Sequence, residues 1–551
     1  MESVILQPPS MTKILYPHQL RAVAMMETRE KEKSITSENF CVFTNVGIFG
    51  DLAGYGKTVA LIALILRDKM EWDLREPFVV SNISNIYGNG SIIKKSLLRF
   101  QKIETSLIVA STSILKQWSD EIFSTSLTHV IITTKKKLDS LEPTLYDIVL
   151  CSPSLYNYLV NKYPNYAWKR FIYDEPTQTK IPAMRCIVSG FIWFVSATPV
   201  QLLYQNHNNH NFLQSLFSNC MDYHIFQNLI VKNDDEFVKK SFQLPSMNHH
   251  SHPCYQPLYN VVQNILSEPI CNMIDAGNIE KAVRHLGGSS TSNIFTLIKN
   301  EKEELLRETE YKIEKFSRIN DHARIKKWTE KKATLEKELE ELNRRYKDFI
   351  LNETCQICLM KNDQPTLVSC CQNAYCGKCI FQWLRQKNSC PNCRTFVTTD
   401  MIIYLTTSPT PPTESLPPPT HSTHGRPTLS KKTKPCVILD IIEKKPHGKF
   451  IIFSDYDETF SFIRHALDDD GIQFAEISGT MESRDRKIRE FKQGNVNVLF
   501  INSIANGAGI NLQEATDIIL YHRMGEDMQA QIIGRAYRIG REKVLDVHHL
   551  I

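Results

Sequence analysis

The chain contains no run of about 18 consecutive apolar residues, so no segment reads as a transmembrane helix. Its first residues, MESVILQPPSMTK, lack the charged-then-apolar pattern of a secretory leader. From both absences we expect a soluble intracellular protein with no membrane partner. A lopsided charge is also lacking. The formal net charge is +5, and the isoelectric point is near 8.4. Any surface for a polyanion must therefore be a local patch. An evenly spread disulfide framework is excluded as well, because eight of the 15 cysteines fall between Cys355 and Cys393. There they form CxxC pairs, the spacing of metal ligands.

What is present is alternation. At 551 residues there is room for three or four domains. From about 12 to 200, short apolar runs alternate with helical stretches, as in a parallel α/β domain. NFCVFTNVGIF reads as a strand, TVALIALILRDKM as the helix after it, and LIVAS, YDIVLCS, RFIYDE and FIWFVSAT as further buried strands. We expect a first lobe over 1–200 and a mixed, mostly helical insertion over 201–298. Over 299–350, Leu335, Leu339, Leu342 and Tyr346 predict a long charged helix or helical hairpin with one apolar seam, a rigid arm rather than a dimerisation coil. The cysteine module occupies 351–398. A Pro/Ser/Thr-rich linker follows over 399–436, and a second α/β lobe over 437–551 contains KFIIFS, VNVLFIN and TDIILYH.

Three segments carry chemistry. GDLAGYGKT is a near match to a phosphate-binding loop, with Gly54 and Gly56 for the turn, Lys57 for charge and Thr58 opening a helix. Asp51 stands where the general pattern has glycine, and by itself the segment could be a tight strand-to-helix turn. RFIYDEP ends a buried strand in Asp174 and Glu175, a pair able to hold magnesium and to activate water. QIIGRAYRIG offers Gln531, Arg535 and Arg538, two guanidiniums three residues apart that could reach a phosphate cluster. Singly, the acidic pair could be a solvated loop and the arginines surface charge.

Taken together and in order, the segments resemble the superfamily-2 helicase core, specifically the Swi/Snf-type translocases, whose first motif carries an acidic residue at the position of Asp51. LYPHQLRAV resembles the family's adenine-reading segment, with Gln19 at the glutamine position. SLIVASTSILKQWSDEI, which includes Trp118, resembles the segment that contacts the nucleic-acid backbone. VSATP, with Ser196 to Thr198, resembles the coupling motif, and NGAGINLQEATDIIL the motif carrying Gly507, Gly509, Asn511 and Leu512. The resemblance implies two RecA-like parallel-sheet lobes with the helical arm and zinc module inserted between them. It implies Mg-ATP held between the lobes by Gln19, Asp51, Gly54, Gly56, Lys57, Thr58 and Asp174. Glu175 would position water, and Gln531, Arg535 and Arg538 would complete the catalytic set. It further implies a nucleic-acid partner, with duplex DNA favoured and RNA the alternative. Three departures stand out: Pro176 and Thr177 in the acidic motif, and Arg541 where the last motif usually has glutamine.

CQICLMKNDQPTLVSCCQNAYCGKCIFQWLRQKNSCPNCR resembles a RING finger with two interleaved zinc sites. Cys355, Cys358, Cys376 and Cys379 would form the first. Cys371, Cys390 and Cys393 would contribute to the second, whose fourth ligand is Cys370 or Asn373, thiolate being the stronger donor. RING fingers recruit ubiquitin-conjugating enzymes, and Ile357, Trp383, Pro391 and Arg394 occupy the positions typical of that surface. A RING between two motor lobes is known in the Swi/Snf branch that includes the helicase-like transcription factor. The small size suggests a compact viral member of that branch, monomeric, acting in the nucleus or a viral replication compartment. The competing expectation is a ubiquitin ligase whose motor lobes serve as a DNA-binding platform. The histidines of 207–211 and 248–253 read as loop residues, and KKTKP (431–435) as ordinary linker lysines.

Overall fold

The computed structural model describes residues 6–37, 40–85, 93–177, 179, 181–204, 223–289, 292–352, 354–405, 432–503 and 510–551. Gly507, Gly509, the 207–211 histidines and most of the Pro-rich linker lie outside the described residues. Two compact units divide the chain. The first comprises 1–246, 507–513 and 526–543, and the second the remaining 247–506, 514–525 and 544–551.

In the first unit, seven strands run parallel in the order 230–231, 46–49, 189–195, 166–174, 93–109, 148–151 and 129–132. Strand 78–85 adds antiparallel to 93–109. Successive side chains of a strand point to opposite faces, so both faces are buried. Phe171 and Tyr173 pack with Leu155, Tyr156 and Leu159 of helix Pro153–Lys162. Ile172, between them, packs with Leu115 and Trp118 of helix Thr112–Ile122 and with helix Lys57–Arg67. The run NFCVFTNVGIF is not one strand. Phe40–Phe43 forms a hairpin with Ser34–Ser37, and only Val46–Phe49 enters the sheet. Thr44 and Asn45 interrupt the run: the Thr44 hydroxyl accepts from Val46 N at 3.1 Å, and the Asn45 amide donates to Ser189 O.

One charged pair lies inside this layer. Arg170 Nε and its terminal nitrogen donate to both oxygens of Glu30 at 2.8 Å, with each side chain 1% exposed. The Trp193 indole also donates to Glu30 at 3.0 Å. An ion pair so buried adds little net stability while intact, but it is costly to halve.

In the second unit, six parallel strands run in the order 247–252, 545–550, 517–520, 450–454, 498–502 and 474–476. Helices 434–443, 458–469 and 481–493 accompany them. Both sheets have the parallel, helix-covered form of RecA-like lobes. The 248–253 histidines are not in a loop, since Met247–His252 is the edge strand of this sheet. Imidazoles satisfy one another across the pairing: His249 with His549 and His252 with His548 at 3.0 Å, and His250 with Asp546 at 3.0 Å. The long charged segment is a helical hairpin, Ile294–Arg318 and His322–Asn352. Its seam buries Leu335, Leu342 and Phe349, and the tilted rings of Tyr346 and Phe295 have centroids 4.3 Å apart.

Replacing Glu30 with alanine should cost about 3–5 kcal/mol of stability by leaving the Arg170 charge buried without its main partner. The double substitution Glu30→Leu/Arg170→Met should recover most of that loss. Urea-unfolding midpoints of the three variants measure both effects.

Candidate nucleotide site and metal centres

Strands 46–49, 189–195 and 166–174 are parallel neighbours, so their carboxyl ends lie on one edge of the sheet. Phe49 pairs with Val195, and Val195 with Asp174. The glycine turn, the Ser196–Thr198 segment and the Asp174–Glu175 pair therefore emerge at the same level, where open α/β sheets take ligands.

A cavity of about 590 Å³ opens there. Its lining includes Gln19, Gly54, Gly56, Lys57, Thr58, Asp174, Glu175, Gln531, Arg535 and Arg538. All belong to the first unit, because 507–513 and 526–543 cluster with it. Helix Lys57–Arg67 starts at this cavity, so its N-terminal N–H groups face an anion site. Gly54 and Gly56 have φ of +85° and +78°. A Cβ on Gly56 would lie 2.2 Å from Gln19 Nε2, and one on Gly54 would lie 2.9 Å from Tyr537 O. Gly534 is equally confined, since a Cβ there would fall 2.8 Å from that of Ala53. Glycines thus let the turn and the arginine-bearing segment close on each other. The glycine-turn pattern marks Gly54 in the sequence, whereas no such pattern marks Gly534.

Charge is concentrated in this space. Lys57 Nζ donates to Asp51 O at 2.8 Å and Leu52 O at 3.2 Å. Burial lowers its pKa, against the pull of Glu175, Asp174 and Asp51. Burial and the adjacent Glu175 push the Asp174 carboxyl up to about 6, although the Trp118 indole donates to it and Lys57 and Arg535 lie near. Burial draws Arg535 down to about 10, opposed by Glu175. Glu175 sits at φ +50°. Its Oε2 and the Arg535 Nε are buried with no hydrogen-bond partner among the described residues. A left-handed glutamate and orphaned polar atoms beside a cationic turn are what a polyanionic ligand with a divalent cation would satisfy.

Two expected residues behave differently. The Asp51 carboxylate does not line the cavity. It accepts from Asn233 N and Nδ2, both at 2.8 Å, and so anchors the turn from behind. Trp118 is fully buried and donates its indole N–H to Asp174 Oδ2 at 2.8 Å, so it cannot touch a nucleic-acid backbone. Asn233 also donates to His18 O at 2.9 Å and lies in no recognisable motif, so nothing in the sequence points to it. Gln19 receives Tyr16 N at 2.9 Å and reaches the carbonyls of Tyr55 and Gly56. Gln531 makes a long 3.5 Å contact with Thr198. Arg541, the departure in the last motif, is buried and donates to Gln513 O and Lys543 O. Pro176 is buried beside the acidic pair.

The cysteines form two groups, Cys355/Cys358/Cys376/Cys379 and Cys370/Cys371/Cys390/Cys393, each with its sulfurs within 4.8 Å of one another. Four thiols so close suit tetrahedral zinc. Cys370 joins the second group, while Asn373 Nδ2 donates to Cys371 Sγ at 3.1 Å, a supporting rather than a ligating geometry. Trp383 is half-buried, with its indole donating to Ser389 O at 2.7 Å. Ile357 and Pro391 are half-buried and Arg394 is exposed. Leu359 and Met360, directly after the first CxxC, are 78% and 68% exposed, apolar surface that the motif alone does not reveal.

The chain belongs to the SNF2-related family, whose domain model matches residues 18–348, more than half of it. A helicase conserved C-terminal domain matches 433–540, and a RING finger domain matches 353–394. Among curated relatives it is 24% identical to "Putative helicase" of Acanthamoeba polyphaga mimivirus, over 99% of this chain and 76% of that protein. It is 26% identical to human E3 ubiquitin-protein ligase SHPRH over 36% of this chain, and 25% identical to human helicase-like transcription factor over 35%. It spans only 12% and 20% of those two human proteins. Among solved structures, the Sulfolobus solfataricus SWI2/SNF2 ATPase core in complex with dsDNA aligns over 99% of this chain at 17% identity and a TM-score of 0.31. No helix among the described residues is long and apolar enough to cross a membrane.

Metal analysis of the purified chain should give about two zinc ions per molecule, from four thiolates per tetrahedral site. Cys370→Ser should lower that to about one, whereas Asn373→Ala should leave it unchanged.

Proposed function

We propose that the chain is an ATPase of Swi/Snf type that is stimulated by duplex DNA and moves along it, with a RING that serves as a ubiquitin ligase. The observation that supports this most is the meeting of Lys57, Asp174, Glu175 and Arg535 around one cavity, with polar atoms of the last two left unsatisfied. Lys57 and the turn's N–H groups bind the outer phosphates, and Gln19 borders the base. Glu175 holds the attacking water and takes its proton as the β–γ phosphoanhydride breaks. Arg535 and Arg538 offset the charge that grows on the transferred phosphoryl group. A magnesium ion held by Thr58 and Asp174 would neutralise the phosphate oxygens. Trp118 keeps the Asp174 carboxylate oriented.

Ligase activity is supported by the partly exposed Ile357, Trp383 and Pro391 and by the exposed Leu359, two residues after Ile357. Partly exposed apolar residues in and next to the cysteine loops suit a conjugating enzyme as partner.

Turnover should rise with added duplex DNA, vanish in Lys57→Ala, and fall by about 10³ or more in Arg535→Ala, the effect of removing an arginine finger. Stimulation by RNA alone would point to an RNA helicase. Absent turnover with intact chain formation would point to a ligase on a passive platform. Ubiquitin chain formation with a conjugating enzyme should drop at least tenfold in Ile357→Ala and in Trp383→Ala at unchanged zinc content, which separates a docking loss from unfolding.

A further inference from the structure

The hairpin of the second unit divides its charge unevenly. Residues 311–333, its tip, carry eight Lys and Arg against three Asp and Glu; the rest of the hairpin from 299 to 350 carries seven against ten. Near the root, which is net acidic, Lys302 pairs with Glu338 at 2.6 Å, and Arg344 and Arg345 with Glu341 at 2.6 and 2.7 Å. At the tip, Lys315, Lys326, Lys327 and Lys331 are exposed. Among the described residues no ion pair engages them.

Four of the eight tip cations do have carboxylate partners, Lys312 with Glu308, Arg318 with Glu314, Arg324 with Asp321 and Lys332 with Glu310. Rings lie beside the tip cations as well. Lys312 and Lys331 stand 4.6 and 5.1 Å from the centroid of Trp328, and Arg324 stands 5.2 Å from that of Phe316. A π face positions a cation without cancelling its charge. Two helices of 25 and 31 residues hold this charge at the end of a stalk roughly 35 Å long, at about 1.5 Å per residue. Lys327 and Lys331 lie on one helix face, about 6 Å apart along the axis.

We propose that this tip is a docking surface for the phosphate backbone of duplex DNA, read without regard to sequence. The charge calls for a polyanion. A folded protein partner would need an apolar centre, and Tyr311 and Ile319 are the only large apolar side chains of the tip among those markedly exposed. The surface shares no residue with the nucleotide cavity. The inference rests on the reading that the chain works on nucleic acid, but its test needs no turnover.

The test is binding of the full chain to a random-sequence duplex, followed by anisotropy without ATP between about 50 and 200 mM salt. Lys326→Glu/Lys327→Glu should weaken binding at least tenfold at the low-salt end and reduce the log–log salt slope by roughly two, close to one per lost phosphate contact. Lys315→Glu/Lys331→Glu should do the same. Lys337→Glu/Lys347→Glu, an equal change of charge at exposed root positions, should stay within about twofold. Helix content by circular dichroism should match wild type in all three, since every position is solvated. Equal weakening by tip and root pairs, no weakening by either tip pair, or failure of the wild-type chain to bind the duplex would each overturn the proposal. Absent ATP turnover with normal, tip-dependent binding would overturn the motor reading and leave this one standing.

Discussion

Everything at the nucleotide site follows from one register. Phe49, Val195 and Asp174 stand level on three parallel neighbouring strands, so the loops that follow them leave the sheet together. A parallel sheet buries both faces and leaves chemistry only at its ends. Here that end receives a turn rich in positive φ, an acidic pair and a segment bearing two arginines. The glycines decide how near these come: Ala53 and Gly54 lie against Gly534 and Tyr537 with no room for another Cβ. Lys57, partly stripped of water among carboxylates, is the electrostatic consequence of that approach.

The zinc module is integrated by packing as well as by its thiols. Leu367, Ala374, Ile403 and Leu405 share a core with Leu258, Ile274, Phe295 and Leu342 from the surrounding helices. Gln372, between Cys371 and Asn373, receives Tyr259 N and donates to Ile274 O, and the Tyr346 hydroxyl donates to Leu405 O. Close by, Lys434 and Asp275 form an ion pair at 2.6 Å with almost no exposure, and Arg523 N also donates to Asp275. The lysine that reads as an ordinary linker residue in KKTKP is thus an interior residue. A zinc-dependent loop, a helical layer and the end of a strand are held by one set of contacts. Loss of metal would therefore be felt well outside the cysteines.

How much of this was legible beforehand depended on the range of the interaction. Local signals were sufficient for most of the buried strands, though not for NFCVFTNVGIF, and for the turn before helix Lys57–Arg67, the hairpin seam at Leu335 and Leu342, and the pairing of cysteines at metal-ligand spacing. Period and spacing are properties of a few consecutive residues. The same signals failed where partners lie far apart in the chain. The 248–253 histidines look like loop because their partners, Asp546, His548 and His549, lie some 300 residues on. Trp118 matched a motif, yet its partner, 56 residues away, draws it inside.

The amino-acid order by itself determined the kinds of chemistry available: a cationic glycine turn, an acid pair after a strand, two spaced guanidiniums and eight clustered thiols. Each is a short pattern whose meaning is set by covalent spacing. Only the tertiary structure decided which of these act together, that Asp51 braces the turn through Asn233, that Cys370 completes a sulfur group, and that the hairpin turns so that its net basic stretch lies at the tip. Those outcomes depend on sheet register and side-chain packing, which sum over contacts remote in sequence and appear in no single stretch of it.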